Sequence, residues 1–341
     1  MPSARDAKEW VAEGGLHGIG DSLYTPFRGV DGDEIDWDAY RALVRYCVGD
    51  LCHELIWFNS GVGEWWSLTL QERKKLTEVG IEEARGVAPD TVVQVATVAA
   101  AAKDCVELTQ HAQGAGADIC FIQTPVMEVH GGEGVFRFVK YLADRTDIAL
   151  GIFPSPSSGY LMTAQDVARI ANEIPAVCAM KEGHMQPSLA KACHALAPDL
   201  YIWECNSLAY EAGWYQKGIV GPAQLCPSGY LYETADQPIF REYWNRLWAG
   251  QLLEAVEYAK ESGLESISEG LGSWRTTYPG RADYFTHWAE AWKVAAEALG
   301  LPPGEYPYSR PPQALLPESA KEQIRATYDR IGWTKKAVSA A

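Results

Sequence analysis

Residues 91–124, TVVQVATVAAAAKDCVELTQHAQGAGADICFIQT, carry the pattern that decides the fold. They begin with a short run rich in β-branched residues at 91–98, continue with helical spacing of apolar residues over 101–113, and return to an apolar run at 118–124. A strand, a helix and a second strand in this order, with no Asn-Gly hairpin signal, predict a βαβ unit with parallel strands.

The same unit recurs along the chain, and it predicts eight strands with helices between them. The strand segments are residues 18–24, 54–60, 91–98, 118–124, 148–153, 176–181, 200–205 and 218–225. The helical segments are residues 36–47, 69–84, 101–113, 134–142, 163–172, 188–195 and 207–216. Eight β/α units predict an α/β fold, a (β/α)8 TIM barrel. The alternative is an open doubly wound sheet, but GIGDSL at 18–23 lacks the glycine fingerprint that follows the first strand of such a sheet.

The 341 residues are expected to divide into an N-terminal segment at 1–14, the barrel at 15–232 and a C-terminal helical region at 233–341. In the last region the helical periodicity runs over residues 239–265, 284–299 and 318–331. Residues 301–317 hold six of the 19 prolines, and we do not expect a regular helix there.

Composition narrows the class of protein. Hydrophobic residues make up 47% and charged residues 22%, which is typical of a packed globular protein. The formal charge of −16 argues against nucleic acid and anionic membranes as partners. No secretory signal or transmembrane run is present, and the eight scattered cysteines read as reduced core residues, so we expect a cytoplasmic protein. Cys47, Cys52 and His53 approach the spacing of metal ligands, but no second pair follows, and we predict no metal site.

The sixth predicted strand ends in a lysine, in Ala176-Val-Cys-Ala-Met-Lys181. Active sites of such barrels lie at the C-terminal ends of the strands. Desolvation there favours a neutral amine, which can attack a carbonyl carbon and form a Schiff base. The alternative is that Lys181 is an ordinary strand-end residue that reaches into solvent.

A glycine-bearing turn, Asn59-Ser60-Gly61-Val62-Gly63-Glu64, follows the second strand. Its glycines let the backbone approach a bound group, and its amides can hold a carboxylate. The alternative is a βα loop that only turns the chain.

Several motifs in order resemble those of the dihydrodipicolinate synthase and N-acetylneuraminate lyase family. They are Tyr24-Thr25-Pro26-Phe27, Gly63-Glu64 with Leu68-Thr69 and Glu72-Arg73, Gly116-Ala117-Asp118 leading to Thr124-Pro125, and Met180-Lys181-Glu182. The resemblance runs from about residue 15 to residue 227. It implies a (β/α)8 barrel and a homo-oligomer, either a tetramer or a dimer. It also implies a class I lyase that uses no cofactor, because Lys181 would itself form the imine with a 2-keto acid such as pyruvate.

The departures from the family pattern are as informative as the matches. Both threonines of the family's glycine-rich loop are missing, which leaves Ser60 and the amides of Gly61 and Val62 to hold the keto-acid carboxylate. The family's proton-relay tyrosine at the end of strand five falls on Phe153, which carries no proton. A second relay tyrosine falls on Val126 or Met127.

The arginine that dihydrodipicolinate synthases place after strand five is also absent, with Ser157 and Ser158 in its position. This argues against a second substrate that carries another carboxylate. Apolar and aromatic side chains at the predicted barrel mouth favour an apolar or aromatic aldehyde instead, as in the hydratase-aldolase branch; they are Val62, Trp65, Trp66, Met127 and Phe153. Alternatively, Trp65 and Trp66 only pack a helix start.

Proton transfer needs a carrier other than the missing tyrosine, and the candidates are Tyr24, Tyr160, His184 and water. Glu204, at the end of strand seven, is a further polar group in this layer, although it can also pair with Lys181. Two other functions stay open. One is a dehydratase or decarboxylase that uses the same imine, and the other is a non-catalytic barrel that binds a metabolite.

Overall fold

Eight parallel strands alternate with helices in the computed structural model, which describes residues 2–123, 131–154, 160–182, 187–204, 208–221, 223–224, 228–272 and 284–334. The strands of this sheet are β1 (Gly18–Ser22), β2 (Leu55–Phe58), β3 (Val92–Ala96), β4 (Ile119–Ile122), β5 (Ala149–Ile152), β6 (Val177–Glu182), β7 (Tyr201–Glu204) and β8 (Ala223–Gln224). A separate antiparallel pair joins Phe27–Arg28 and Glu34–Ile35. Hydrogen-bonded neighbours follow the order β8, β1, β2, β3, β4, β5, β6, β7.

The two ends of this order meet. The amide of Gly221, just before β8, donates to the carbonyl of Ile202 in β7 at 2.7 Å. The sheet therefore closes, which confirms the (β/α)8 barrel and excludes the open doubly wound alternative.

Strand β8 is shorter than the predicted segment, which began at Gly218. Gly218 has a φ of +69° and ends the preceding helix, because the amide of Ile219 donates back to the carbonyl of Trp214. A glycine in this conformation terminates a helix and does not start a strand.

The helices surround the barrel and continue beyond it. They are α1 (Ala7–Ala12), α2 (Trp37–Arg45), α3 (Leu70–Val87), α4 (Ala102–Ala115), α5 (Gly132–Ala143), α6 (Ala164–Glu173), α7 (Pro187–Leu196), α8 (Leu208–Gln216), α9 (Ile239–Trp248), α10 (Leu252–Glu261), α11 (Leu264–Gly272), α12 (Tyr284–Leu299) and α13 (Glu318–Arg330). Capping boxes begin α3, with Thr69 and Glu72, and α6, with Thr163 and Asp166. None of the described helices is long and apolar enough to cross a bilayer.

Helix α1 closes the lower end of the barrel. Ala7 and Val11 join the inner core of the barrel next to residues at the starts of strands, such as Leu55, Ile119 and Ala149. No helix was predicted from the sequence for residues 1–14. Six residues with two buried side chains carry too little periodicity to be recognised without the barrel that they cover.

The C-terminal region packs on the barrel through α9 to α13. The predicted helix over 239–265 is wrong as one element, since it divides at Gly250 and Gly263, whose φ values are +78° and +86°. Residues 301–317 contain no helix, as predicted. We call residues 301–317 the proline-rich segment, and it reaches the loops that follow β1 and β2.

Candidate active site

Lys181 lies inside the barrel mouth. It is the fifth residue of β6, two residues after the inward-facing Ala179, and only 7% of its surface is exposed. Its Nζ atom is 4.5 Å from the centroid of the Trp57 ring and 4.6 Å from that of Phe153. The alternative of a lysine that reaches into solvent is therefore wrong, because two aromatic rings enclose the amine.

A small aromatic pocket surrounds these rings. Trp57 and Phe121 pack with their ring centroids 5.2 Å apart, and Phe121 packs on Trp203 at 5.0 Å. The pocket is lined by Trp57, Gly61, Trp65, Ala96, Val98, Phe121, Gln123 and Phe153. Of the residues predicted for the site, the structure brings Gly61, Trp65 and Phe153 together beside Lys181.

Arg73 of α3 forms hydrogen bonds with the backbone at the end of β3, which lines one side of the pocket. Its buried guanidinium donates to the carbonyl of Ala96 at 2.9 Å and to the carbonyl of Val98, and it lies 5.5 Å from the Trp65 ring centroid. Burial lowers the pKa of Arg73 to about 10. Trp65 therefore contacts both the pocket and the start of α3.

The glycine-bearing turn after β2 is held against β1. The hydroxyls of Ser60 and Ser22 are 2.6 Å apart, and Thr25 donates to the carbonyl of Gly63 at 2.7 Å. A Cβ atom on Gly63 would lie 3.1 Å from the carbonyl oxygen of Leu23, so this close approach favours glycine. Within the described residues, no backbone hydrogen bond uses the amides of Gly61 or Val62. Among the described residues, neither amide therefore has a backbone acceptor.

Glu64 ends this turn in a left-handed conformation, with φ of 57° and ψ of 41°. Its carboxylate is fully buried and accepts from Lys293 Nζ of α12 at 2.7 Å. Lys293 also donates to the carbonyl of Tyr308 at 2.9 Å. Burial lowers the pKa of Lys293, while the charge of Glu64 opposes this effect.

Arg310 of the proline-rich segment adds further bonds to the same turn. Its amide donates to Glu64 at 3.2 Å, and its guanidinium donates to the carbonyls of Gly32 and Ser67 and to the carboxylate of Glu72. The C-terminal region therefore holds the turn that borders the pocket. Lys293 and Arg310 were not predicted as partners of this turn, because nothing local in the sequence relates them to Glu64.

The proton carriers suggested from the sequence have other partners. Tyr24 is fully buried and its hydroxyl donates to the carbonyl of Pro302 at 2.9 Å, while burial raises its pKa well above the usual value. The hydroxyl of Tyr160 donates to Asp166 at 2.8 Å. Neither arrangement favours proton transfer at Lys181. His184 and Met127 lie outside the described residues, as does the side chain of Glu204, whose backbone pairs with Glu182 at the end of β7.

His53 is buried between two carboxylates. Its Nδ1 lies 2.7 Å from the carboxylate of Asp21 and its Nε2 lies 2.5 Å from that of Glu233. Burial alone would lower the pKa of His53, but the two carboxylates raise it to about 10. Across the described ranges, no group of three His, Cys, Asp or Glu side chains is arranged to hold a metal ion.

Gln123 is a pocket residue that the sequence analysis did not single out. It directly follows β4, only 6% of it is exposed, and it lines the pocket beside Trp57 and Phe153. A polar residue at the end of an apolar strand was the available signal, and it is the same signal that identified Lys181.

Comparison with known proteins agrees with this architecture. A model of the Dihydrodipicolinate synthetase family matches residues 16–215, more than half of the chain. The 4-hydroxy-tetrahydrodipicolinate synthase of Fervidobacterium nodosum is 29% identical over 191 residues, which are 55% of this chain and 63% of that protein. An uncharacterized DapA-like lyase of Thermococcus onnurineus is 33% identical over 167 residues, which are 49% of this chain and 55% of that protein. The chain thus matches less than two thirds of the length of these relatives.

Two solved structures share the fold. DHDPS from Cyanidioschyzon merolae, with lysine bound, is 18% identical with a TM-score of 0.76. YagE, a prophage protein from E. coli K12 in complex with pyruvate, is 17% identical with a TM-score of 0.76. Each comparison covers 93% of this chain and 99% of the other. Since the matching family model spans strands β1 to β7 and includes the turn after β2 and Lys181, the chain belongs to the dihydrodipicolinate synthetase family.

Proposed function

We propose that this chain is a class I lyase in which Lys181 forms an imine with a 2-keto acid of the pyruvate type. The observation that carries the proposal is the position of the Lys181 amine, enclosed by Trp57 and Phe153 at the C-terminal end of the barrel. An amine in such a site can add to the keto carbon, and the resulting imine accepts electrons when an adjacent carbon–carbon bond is broken or made. The lysine supplies this chemistry without a cofactor.

The turn after β2 is proposed to bind the carboxylate of the keto acid. Gly61 borders the pocket, and the amides of Gly61 and Val62 have no other backbone acceptor in the described residues. Ser60 supports the turn through Ser22. Backbone amides and a hydroxyl together can hold a carboxylate without a cationic side chain.

The second substrate is proposed to be an apolar or aromatic aldehyde, as in a hydratase-aldolase. The aromatic rings of Trp65, Phe121 and Phe153 support this proposal. The cavity between them holds about one water molecule, so the aldehyde would lie beyond it, toward the barrel mouth. Met127, His184 and Glu204 remain members of the proposed site on the strength of the sequence. A cytoplasmic homo-oligomer, a tetramer or a dimer, is proposed on the same basis.

Two other functions use the same barrel. A dehydratase or decarboxylase shares the imine and differs only in the bond that breaks next. A non-catalytic metabolite-binding barrel is favoured by one observation, the phenyl ring of Phe153 beside the amine where the resemblance places a tyrosine hydroxyl.

The test is reductive trapping. The protein is incubated with pyruvate and with a panel of aliphatic and aromatic 2-keto acids, reduced with borohydride, and analysed by intact mass and peptide mapping. We expect one adduct per chain, on Lys181, and none in Lys181→Ala. Lys217→Ala is the matched control, because Lys217 also faces an aromatic ring, Trp214, at 5.1 Å, but lies outside the pocket.

The outcomes separate the functions. An adduct that is lost only in Lys181→Ala supports imine chemistry, and the aldehyde released or consumed then distinguishes a lyase from a dehydratase or decarboxylase. A folded wild-type protein that gives no adduct with any keto acid overturns the proposal and favours the binding barrel.

A further inference from the structure

We propose that Gln123 and Trp57 bind a water molecule that carries protons during imine formation at Lys181. The inference rests on the proposed function, because it names the proton carrier for that imine. Two buried polar atoms in the pocket lack hydrogen-bond partners among the described residues.

The first of these atoms is the side-chain carbonyl oxygen of Gln123. The residue is more than nine-tenths buried and lines the pocket, yet its Oε1 accepts no hydrogen bond from any described residue. A buried acceptor without a donor is costly, so its retention at a pocket wall indicates a bound hydrogen-bond donor.

The second atom is the indole nitrogen of Trp57. Its N–H is buried and donates to no described residue, although the ring lines the same pocket. The pocket therefore offers an acceptor and a donor together, which is the partner set of a water molecule.

The dimensions agree with water. The cavity between the lining side chains has a volume of about 10 Å³, close to the smallest that holds one water molecule. The Trp57 ring that lines it is also 4.5 Å from Lys181 Nζ. A water in this cavity is thus next to the aromatic wall that faces the amine.

Phe153, Tyr24 and Tyr160 do not fit this role. Phe153 has no proton to give, Tyr24 donates to Pro302, and Tyr160 donates to Asp166. A carboxamide does not titrate, so Gln123 acts by positioning the water and not by taking the proton itself.

The chemical step balances with one relay water. The neutral amine of Lys181 adds to the keto carbon, a C–N bond forms, and the electron pair of the C=O π bond moves to oxygen. The water gives one proton to that oxygen and receives one from the nitrogen, which yields the carbinolamine. In dehydration the nitrogen gives up its remaining proton to the water, the water protonates the hydroxyl, and a second water leaves as the C=N bond forms.

The test uses pyruvate as the probe and Gln123→Leu as the variant. Timed borohydride quenching gives the limiting rate of adduct formation and the pyruvate concentration at half-saturation. We expect Gln123→Leu to lower the limiting rate by about 10- to 100-fold, since a positioned proton carrier contributes at least this much. The half-saturating concentration should change by less than about twofold, because the carboxylate site is intact.

Conservative variants distinguish a role in positioning the water from a purely structural role of Gln123. Gln123→Glu keeps an acceptor oxygen and should retain most of the rate. Trp57→Phe keeps the ring but removes the N–H, and should slow the reaction in the same way even if Gln123→Leu fails to fold. Gln110→Leu makes the same chemical change at an exposed glutamine that bonds the carbonyl of Arg145, and should behave as wild type.

Three results would overturn the proposal. They are an unchanged rate in both Gln123→Leu and Trp57→Phe, an equal loss in Gln123→Leu and Gln123→Glu, and a raised half-saturating concentration at an unchanged rate. The last result would mean that Gln123 binds pyruvate directly. A wild-type protein that gives no adduct would instead overturn the proposed function.

Discussion

The two rings beside Lys181 act on more than the unreacted amine. A positive charge is attracted to the face of an aromatic ring, so Trp57 and Phe153 stabilise any cation at Nζ, including the protonated imine. The relay leaves a neutral imine, and uptake of one proton from solvent converts it into this cation, which is the electron sink of the proposed reaction. Phe153 therefore supports the intermediate although it contributes no proton.

A hydroxyl placed at position 153 tests whether the ring of Phe153 stabilises the cation while the water transfers the proton. In the Gln123→Leu background, Phe153→Tyr should recover about tenfold of the lost rate of adduct formation, because it returns a proton carrier to the amine. Timed trapping with pyruvate measures this recovery. Phe153→Leu in the same background is the control and should give no recovery. Equal rates for the Tyr and Leu variants would contradict the relay.

Sequence alone identified Lys181 and Phe153 but not Gln123. Lys181 was recognisable because a charged residue directly after five apolar ones is unusual, and Phe153 because the resemblance assigns a tyrosine to its position. A glutamine after a strand is common at the start of a loop. Its importance comes from lacking a partner inside the folded barrel, which no sequence pattern records.

At the scale of elements, the turn after β2 depends on chain far from it. Glu64 has a left-handed conformation, which costs roughly 1 to 3 kcal/mol for a residue other than glycine unless its surroundings enforce it. Hydrogen bonds from Lys293 of α12 and from the amide of Arg310 to the Glu64 carboxylate hold it in this conformation. The turn after β2 and the C-terminal region thus act as one unit.

Removal of the buried cation tests this dependence. Lys293→Met leaves the Glu64 carboxylate buried without its partner, and should lower the free energy of unfolding by about 3 to 5 kcal/mol. It should also raise the pyruvate concentration at half-saturation, because the amides of Gly61 and Val62 lose their fixed orientation. Urea denaturation and trapping measure the two effects.

The double variant Lys293→Met, Glu64→Gln is the control for the loss of the ion pair. It removes both charges and should recover much of the stability, since no isolated charge remains buried. Unchanged half-saturation in the single variant would show that the turn keeps its shape without α12.

Elements with strong local signals were predictable, whereas contacts between distant elements were not. Strands β1 to β7 and helices α2 to α8 fall within a few residues of their predicted segments, because apolar periodicity is a local property. The breaks at Gly250 and Gly263 were local as well, but helical periodicity on both sides concealed them. The pair of Glu64 and Lys293 spans 229 residues, and only the folded chain reveals it.

At the scale of the molecule, one buried charge cluster connects the first strand to the C-terminal region. His53 lies between Asp21 of β1 and Glu233, and Glu233 also accepts from the amide of Arg241 at the start of α9. A histidine with a carboxylate on each nitrogen is favoured as a cation. The cluster therefore makes the stability of the whole fold sensitive to pH.

The direction in which stability changes with pH follows from the pKa of His53, which rises from 6.5 to about 10 on folding. A raised folded pKa stabilises the protein fully below pH 6.5, and this stabilisation is lost as the pH rises through about 10. The free energy of unfolding of the wild type should therefore fall by a few kcal/mol between pH 7 and pH 10. Denaturation at each pH measures the decrease.

His53→Gln should show a smaller decrease over the same range, because the contribution of His53 is gone while that of the buried cysteine thiols, whose pKa values burial raises, remains. The control is His111→Gln, which removes a half-buried histidine 3.4 Å from Glu78 and should keep the wild-type slope. Equal slopes for the wild type and His53→Gln would contradict the assignment.

The long separation in sequence between Glu64 and Lys293 has a consequence while the ribosome synthesises the chain. Chains are made from the N-terminus, and domains generally fold as units once they emerge. The strands and the turn after β2 emerge long before α12, so a partly made barrel holds Lys181 but not the lysine that fixes Glu64. If the proposed function holds, the nascent chain is expected to bind keto acids poorly until α12 has docked, which would delay the proposed imine chemistry until the C-terminal region has been synthesised.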